Sequence, residues 1–455
     1  MAEVDSETLS RKIACPVLTR DDPGYDDARR MFNTRFDRHP DVVVQCQSAA
    51  EVSAAVDFAR ANDLLLSVKG GGHSYAANTV GDGGLLIDLA AMNDVEVDPG
   101  GKSVRVGAGA RWGVVDAATQ KYGLAAVGGT VSTVGVAGFT LGGGSGYLSR
   151  RYGMAVDNLL AAQVVTAAGD RVRASADEHP DLFWALCGGS GNFGVVTAFE
   201  LALHKVGPEV LAGQIAYRFE DAAKVLKAYR KFMSDAPEEV QCYPFILRVP
   251  PIPEFPAEFH GQIAIDLVVF HADPSREDDL RPLLELGNPI LSFIAPQPYL
   301  EVQKMFDEAL PPGQRWESRA QGFTELTDEV IDTLLAHIEP LPGEFTSAYL
   351  AAENGAISRV ESGATAYPHR SLAFSLHVLA GWSDPAADDE VTAWTRRCHE
   401  AMSPFSTDGV YVNLLGTDEK SRVRAAYGDN YERLVELKRT WDPQNLFHMN
   451  HNIEP

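Results

Sequence analysis

The hydrophobic pattern that precedes residue 70 predicts a strand, a helix and a second strand. Residues 42–44 form one apolar run and residues 64–68 form another. Between them, Ser48 and Glu51 have the spacing of a capping box, which marks the start of a helix. A strand, a helix and a strand in so short a segment indicate a βαβ-type unit.

The pattern further along the chain predicts hairpins first and a mixed domain afterwards. Alternating apolar residues indicate hairpins over residues 95–106 and 158–174. Beyond Gly207 and Pro208, glycines become fewer and strand-like runs alternate with amphipathic helices. We therefore predict an α+β chain whose second domain begins at residue 208. Further helices are predicted over residues 112–122, 328–338 and 431–441, and further strands over residues 195–203 and 371–378.

Glycines are concentrated in a way that points to a ligand. Of the 40 glycines, 20 fall between Gly70 and Gly146 in two clusters, and residues 188–194 form a third cluster. Such loops expose backbone N–H groups that can hold a pyrophosphate, which indicates a dinucleotide. The nicotinamide fingerprint GxGxxG is absent from its expected context. The alternative reading is that these glycines only form turns.

His73 stands within the first glycine cluster and is a candidate functional residue. A lone histidine is more often structural, but the glycines beside this one would let a flat ring approach the imidazole closely. A neutral imidazole is also a nucleophile. We interpret Cys187 as a core thiol, and Arg150 and Arg151 as solvated side chains.

Composition narrows the class of protein. The 63 acidic residues exceed the 39 basic ones, and a net charge of −24 excludes nucleic acid and anionic lipid as partners. No apolar run is long enough to span a membrane, and the N-terminus lacks the apolar core of a secretory signal. We therefore expect a cytoplasmic protein. The five scattered cysteines suggest reduced thiols and no structural metal.

Four motifs taken in order resemble one family. Residues 68–75, 135–146, 181–186 and 450–452 closely resemble the bacterial berberine bridge enzyme-like FAD-linked oxidases of the vanillyl-alcohol oxidase superfamily. The resemblance extends from residue 40 to residue 455. It implies an FAD-binding domain built from residues 1–207 and 411–455, and a substrate domain over residues 208–410 with an antiparallel sheet flanked by helices.

The resemblance also implies how FAD would be held. His73 matches the family histidine that bonds covalently to the 8α carbon of the flavin. The second, cysteinyl bond found in some members is not expected, because Val131 stands at that position. Val134 replaces a leucine that marks members reacting poorly with dioxygen, which favours an oxidase. The other residues implied to contact FAD are Lys69, Gly70, Gly71, Gly72, Ser74, Thr133, Gly135, Gly138, Thr140, Gly142, Gly143, Gly146, Gly194, Val196, Asn450 and Asn452.

Tyr411 and Asn413 match the family motif Tyr-x-Asn and are implied to be catalytic. Oxidation of an alcohol or amine by flavin moves a hydride from carbon while a base takes a proton, and Tyr411 is the candidate base. The alternative is that both residues only pack at a domain junction. Asn450 and Asn452 are expected on one extended segment, with both side chains directed at the flavin ring or, alternatively, forming a turn.

The leading functional hypothesis is therefore an FAD-dependent oxidase that acts on a small molecule and converts dioxygen to hydrogen peroxide. A flavin dehydrogenase with another electron acceptor and a flavin-binding protein without turnover are the alternatives, and a nicotinamide dehydrogenase is a more distant one. Tyr349, His369 and His377 are possible pocket residues. On the predicted strand, Ser375 and His377 share one face, and either face could be the one directed at the flavin.

Overall fold

The computed structural model describes residues 6–407 and 409–455, which form four β-sheets and the helices around them. The strands are β1 (Val17–Leu18), β2 (Val42–Gln45), β3 (Leu66–Lys69), β4 (Leu85–Asp88), β5 (Val95–Asp98), β6 (Ser103–Gly107), β7 (Leu124–Ala125), β8 (Leu159–Val165), β9 (Arg171–Ser175), β10 (Val195–Ala202), β11 (His204–Lys205), β12 (Glu209–Arg218), β13 (Val240–Arg248), β14 (Ile263–His271), β15 (Leu291–Pro298), β16 (Arg315–Phe323), β17 (Ser347–Ala352) and β18 (Phe374–Trp382). The α-helices are α1 (Ser6–Lys12), α2 (Tyr25–Arg29), α3 (Ala49–Ala61), α4 (Trp112–Thr119), α5 (Val136–Leu141), α6 (Ser149–Tyr152), α7 (Pro180–Leu186), α8 (Ala222–Asp235), α9 (Arg281–Leu284), α10 (Tyr299–Val302), α11 (Asp328–Ile338), α12 (Ala356–Arg359), α13 (Asp388–Met402), α14 (Val423–Tyr427) and α15 (Tyr431–Trp441).

The first sheet contains the predicted βαβ unit. Its strand order is β1-β2-β4-β3, with β4 parallel to both β2 and β3. The helix between β2 and β3 begins as predicted, because the side chain of Ser48 accepts a hydrogen bond from the backbone N–H of Glu51. The carboxylate of Glu51 accepts from the N–H of Gln47, one residue earlier than the capping-box pattern predicts.

The second sheet is antiparallel and contains both predicted hairpins. Its order is β5-β6-β10-β8-β9, so the strand predicted over residues 195–203 joins the two hairpins. The strand itself ends at Ala202, and the N–H of Leu203 donates to the carbonyl of Lys102. Strands β7 and β11 form a separate antiparallel sheet of two strands. Along the chain, β7 lies between β6 and β8, and β11 follows β10.

The third large sheet has seven antiparallel strands in the order β15-β12-β14-β13-β17-β18-β16. Helices α8, α11 and α13 bury their apolar faces against one side of it. The chain is therefore α+β as predicted, and helices α11 and α15 have the predicted bounds. The strand predicted over residues 371–378 instead runs from Phe374 to Trp382, where it pairs with β16 and β17. Within the described residues, no helix is both long and apolar enough to cross a bilayer.

The C-terminal segment packs with the N-terminal part of the chain. Val412, Leu434, Phe447 and Ile453 belong to the same apolar cluster as strands β2, β4 and β10. The seven-stranded sheet has its own cluster on the helix side. This arrangement supports the division into residues 1–207, 208–410 and 411–455, which stays a prediction.

The expectation that Arg150 is solvated is wrong. Arg150 is 2% exposed, and its guanidinium donates to the side chain of Asn354 and to the carbonyls of Ala236, Pro237 and Val240. These acceptors lie beyond residue 207, so the arginine ties the glycine-rich segment to the larger sheet. Sequence spacing could not indicate this, because all the acceptors are more than 80 residues away.

Lys438 anchors the C-terminal segment through a fully buried ion pair. Its ammonium lies 2.7 Å from Asp442 and donates to the carbonyls of Asn192 and Phe447. Asp442 also accepts from the N–H groups of Leu446 and Phe447. The pair thus holds the third glycine cluster to the end of the chain.

We expect Lys438→Met to lower the free energy of unfolding by about 3–5 kcal/mol, because it leaves a buried carboxylate without its counter-charge. Arg439→Met, at an exposed position of the same helix, is the control and should change it by less than about 0.5 kcal/mol. Urea unfolding followed by circular dichroism measures both variants. Equal losses of unfolding free energy in the two variants would contradict the role of the Lys438–Asp442 ion pair as a buried anchor.

Candidate active site

A cavity of about 1170 Å³ lies between the glycine-rich loops and the face of the seven-stranded sheet that is not covered by helices. One wall is formed by the glycine clusters, and the other by side chains of β12, β13, β14, β17 and β18. A cavity of this size is large enough for a dinucleotide or for a cofactor part together with a substrate. It is therefore the candidate active site.

The first two glycine clusters meet back to back at Gly71 and Gly135. A Cβ atom built on Gly71 would lie 2.5 Å from the Cα of Gly135, and one built on Gly135 would lie 2.6 Å from the Cα of Gly71. Both atoms belong to backbone, which cannot turn aside like a side chain. Glycine is therefore required at both positions for the two loops to touch.

His73 follows this contact and lies in the cavity wall. Its ring stacks on Phe32 with 4.2 Å between centroids, and Phe32 in turn stacks on Trp316 of β16. Burial lowers the pKa of His73 to about 4, and the charge of Arg111 contributes in the same direction. The imidazole is therefore neutral at physiological pH, which is the nucleophilic form.

Tyr411 and Asn413 are placed together at the cavity. The phenol oxygen of Tyr411 accepts hydrogen bonds from the backbone N–H of Gly144 and from the side-chain amide of Asn413, both at 2.9 Å. The same amide also donates to the carbonyl of Phe139. Burial raises the pKa of Tyr411 to about 12, and the two N–H donors oppose that rise. The donors favour the phenolate, but burial outweighs them, so the phenol keeps its proton at neutral pH.

The structure separates the predicted cofactor residues into two groups. The group in the cavity wall comprises Gly70, Gly71, Gly72, His73, Ser74, Val134, Gly135, Gly138, Gly194, Val196 and Asn450. The group outside the wall comprises Lys69, Thr133, Thr140, Gly142, Gly143, Gly146 and Asn452. For three members of the second group, particular contacts show what they do instead.

Three residues explain why members of the second group lie outside the wall. Lys69 points into the protein, where its ammonium donates to the carbonyl of Ala28 and lies 3.5 Å from Asp88. A Cβ atom on Gly142 would lie 2.1 Å from the amide oxygen of Asn413. A Cβ atom on Gly146 would lie 2.0 Å from a backbone carbonyl in the loop before it. These glycines allow close packing within the protein.

Asn450 and Asn452 do not share a straight extended segment, because the chain bends at residues 449–451. The amide of Asn450 donates to the carbonyls of Gly191 and Phe447 and lines the cavity. The amide oxygens of both asparagines are buried and have no protein partner among the described residues. Such atoms are costly unless a ligand or water satisfies them.

The strand β18 shows which side of the large sheet faces the cavity. Phe374, Leu376 and Val378 pack against the helices, whereas His377 lies in the cavity wall. The hydroxyl of Ser375 donates to Glu353 and lies 2.7 Å from the Nε2 atom of His377. Tyr349 stacks on His377 with 4.6 Å between centroids. His369 lies outside the wall, bonded to the carbonyls of Val410 and Ala426.

Comparison with known proteins shows which family this chain belongs to. Residues 40–175 match the FAD binding domain family, and residues 410–454 match the family described as berberine and berberine like. An FAD-linked oxidoreductase of Bacillus subtilis (strain 168) is 30% identical over 455 residues, which cover 98% of both chains. The chain belongs to the berberine bridge enzyme-like FAD-linked oxidases. It is an FAD-linked oxidoreductase.

Two further relatives have named activities. The (R)-6-hydroxynicotine oxidase of Paenarthrobacter nicotinovorans is 30% identical and covers 98% of this chain and 99% of its own. The crystal structure of 6-hydroxy-D-nicotine oxidase from Arthrobacter nicotinovorans has a TM-score of 0.88 at 29% identity, covering 97% of this chain and 98% of that one. The fold and the order of elements are therefore similar over nearly the whole length.

The cavity wall of this FAD-linked oxidase fits its cofactor in two respects. A Cβ atom on Gly138 would meet no protein atom within 4 Å, so that part of the wall is open to a ligand. The unpartnered amide oxygen of Asn450 is an acceptor in this wall, which suits the N–H group of a flavin pyrimidine ring. Glycine backbone, neutral His73 and the Asn450 amide are thus the groups that would hold FAD.

Two polar residues of the cavity were not predicted from the sequence. Glu353 directly follows β17, and burial raises the pKa of its carboxyl, with the hydrogen bond from Ser375 opposing the rise. Asp266 lies in the middle of β14 and is 1% exposed. The sequence did contain a sign that Asp266 is functional, because it is the only carboxylate in a largely apolar strand. Carboxylates are almost never fully buried unless they are paired.

We expect Gly71→Ala to destabilise the protein by about 1–3 kcal/mol, since its methyl group would force two backbone segments apart. Gly138→Ala is the matched variant: its methyl group meets no protein atom, so the FAD content should fall and the thermal midpoint should fall only as far as the lost FAD requires. Thermal unfolding and the ratio of flavin to protein absorbance report the two effects. The assignment fails if the two variants lose stability equally.

Proposed function

We propose that the enzyme oxidises a carbon–hydrogen bond next to a hydroxyl or amine of a small organic molecule and uses dioxygen as the electron acceptor. The observation that carries this proposal is the placement of the Tyr411 phenol, with its two N–H donors, in the wall of a cavity suited to FAD. When bound, FAD supplies a two-electron acceptor that dioxygen can reoxidise with release of hydrogen peroxide.

The names of relatives support a small-molecule substrate. They include the (R)-6-hydroxynicotine oxidase, a xylooligosaccharide oxidase of Thermothelomyces thermophilus and a carbohydrate oxidase of Microdochium nivale. Each name states an oxidase activity on a low-molecular-weight compound or a sugar. The net charge of −24 would repel a nucleic-acid backbone and so argues against a nucleic-acid partner. A cytoplasmic location stays a prediction.

In the proposed reaction, Tyr411 takes the proton from the substrate hydroxyl or amine. The N–H groups of Gly144 and Asn413 stabilise the phenolate that accepts this proton. Asn413 also fixes the orientation of the phenol, because its amide is itself held by the carbonyl of Phe139. The groups that lower the pKa of Tyr411 include these two N–H donors, so neutral N–H dipoles contribute to the stabilisation.

We propose further that His73 binds FAD covalently and that it forms the only protein–flavin bond. Its neutral imidazole is the nucleophile that such a bond requires, and the stack with Phe32 fixes its ring plane. No cysteine stands at the position of Val131, and all five cysteines are free and buried. These residues support a single histidyl bond.

A flavin dehydrogenase that uses another electron acceptor is the second candidate. Val134 in the cavity wall favours the oxidase, because its side chain is smaller than the leucine of relatives that react poorly with dioxygen. Photoreduced enzyme mixed with air-saturated buffer distinguishes the two: rapid recovery of the oxidised flavin spectrum supports the oxidase, and slow recovery supports the dehydrogenase. A protein without turnover would show no bleaching with any alcohol or amine.

We expect acid precipitation of the purified protein to leave flavin in the pellet, and intact-mass spectrometry to show the added mass of one FAD. His73→Ala removes the nucleophile, so its flavin should be extracted into the supernatant. Flavin that stays attached to His73→Ala would refute the histidyl bond. Flavin extracted from the unmodified protein would refute covalent attachment while leaving the FAD-binding role intact.

We expect Tyr411→Phe to slow anaerobic flavin reduction by about 100-fold or more, the contribution of a positioned general base. Because the base acts when deprotonated and its pKa is about 12, the rate in the unmodified enzyme should rise with pH below that value. Asn413→Leu removes a donor that lowers this pKa, so its rising limb should move to higher pH. Stopped-flow spectroscopy measures both effects.

Tyr367→Phe is the matched control for this experiment. Its ring lies edge-on to Tyr411 with 6.1 Å between centroids, but it is absent from the cavity wall. The control should keep both the rate and its pH dependence. A Tyr411→Phe variant with the pH profile of the unmodified enzyme would exclude Tyr411 as the base.

A further inference from the structure

One row of side chains crosses the cavity face of the seven-stranded sheet. In register across neighbouring strands, Asp266 of β14 lies opposite Phe245 of β13, Phe245 opposite Tyr349 of β17, and Tyr349 opposite His377 of β18. All four residues line the cavity. The row therefore runs from a carboxyl group at one end to an imidazole at the other.

The middle of the row is a continuous aromatic surface. Phe245 and Tyr349 stack with 4.7 Å between centroids, and Tyr349 and His377 stack at 4.6 Å with nearly parallel rings. Burial lowers the pKa of His377 to about 3, so its ring is neutral. Flat, uncharged rings in such a series suit a flat or apolar part of a ligand.

Asp266 has an unsatisfied oxygen at the end of this surface. One carboxyl oxygen accepts a hydrogen bond from the side chain of Gln214 at 3.0 Å. The other oxygen is buried and has no partner among the described residues. The residue as a whole is 1% exposed. Burial raises the pKa of Asp266 to about 7, which is the cost of keeping a carboxylate there without a counter-charge. A bound cation would remove that cost.

The charge of the cavity favours a cation as the ligand. Among the described residues of its wall, the carboxyl groups are Asp266, Glu308, Glu344 and Glu353, whereas Arg248 is the only arginine or lysine. The guanidinium of Arg248 is engaged by the carbonyls of Gly261 and Pro340. A cationic group that enters the cavity therefore meets acceptors and aromatic faces rather than competing cations.

We propose that Asp266, positioned by Gln214, binds a cationic nitrogen of the substrate, while Phe245 and Tyr349 stack on a flat part of the same molecule. This inference rests on the proposed function, because it takes the cavity as the substrate site. Strand spacing places Asp266 about 10 Å from Tyr349, two strands away. Tyr349 and Tyr411 line the same cavity. The cation is therefore a recognition group, remote from the carbon that is oxidised.

Binding of two probes of equal shape tests the subsite in the holoprotein. Phenethylamine places an ammonium beyond an aromatic ring, and phenethyl alcohol places a neutral hydroxyl there. Isothermal titration calorimetry is carried out at a pH about one unit above the pKa of Asp266, where both the carboxylate and the ammonium are charged. We expect the amine to bind at least about tenfold more tightly than the alcohol.

Asp266→Asn should abolish this preference while leaving the affinity for the alcohol unchanged, since an amide keeps the hydrogen bond to Gln214. Glu344→Gln is the matched control: it removes one negative charge from the cavity wall at a residue held by Ser383, outside the row, and should retain the preference. Equal affinities in the unmodified protein would overturn the proposal, and this comparison needs no variant. A preference that survives in Asp266→Asn, or disappears in Glu344→Gln, would overturn it as well.

The experiment separates this inference from the proposed function. Calorimetry is carried out without dioxygen, which prevents repeated turnover of either probe, so a preference lost in Asp266→Asn supports the subsite even if no compound bleaches the flavin. Conversely, rapid oxidation of a substrate together with equal affinity for the two probes would refute the subsite and leave the oxidase function standing.

Discussion

The contact between Gly71 and Gly135 is the constraint on which the rest of the site depends. Two backbone segments from different parts of the chain touch there without side chains between them, because a Cβ atom on either would lie about 2.6 Å from the other. His73 follows two residues after the first glycine, and helix α5, which leads to Gly142 and Gly144, starts directly after the second. The imidazole and the N–H donor to Tyr411 are therefore positioned from one point of contact.

Burial then determines the chemistry of the groups that line the cavity. The same desolvation lowers the pKa of His73 to about 4, which keeps a nucleophile neutral, and raises the pKa of Tyr411 to about 12, which N–H donors must oppose. At Asp266 it raises the pKa of the carboxyl group to about 7. The proposed catalytic and recognition groups are thus governed by one physical effect, which has opposite consequences for acids and bases.

The surroundings of some side chains were predicted correctly from the sequence, and those of others were not. The difference lies in how far apart along the chain the interacting residues are. Ser48 caps a helix three residues away and was identified from local spacing. Arg150 was expected in solvent, yet its acceptors are distant in the chain and became neighbours only on folding. Lys69 stands beside the first glycine cluster, but strand alternation turns its side chain away from the cavity towards Asp88.

The sequence by itself determined the α+β class, the main helices and hairpins, the glycine clusters and the resemblance to an FAD-linked oxidase family, because these depend on local periodicity and on contiguous motifs. Only the tertiary structure decided which face of β18 lines the cavity, which glycines form its wall, and that Asp266 and His377 belong to one row. These features arise from the register of strands that are far apart in the chain. No spacing within a single segment encodes that register, since it is fixed by packing of the whole sheet.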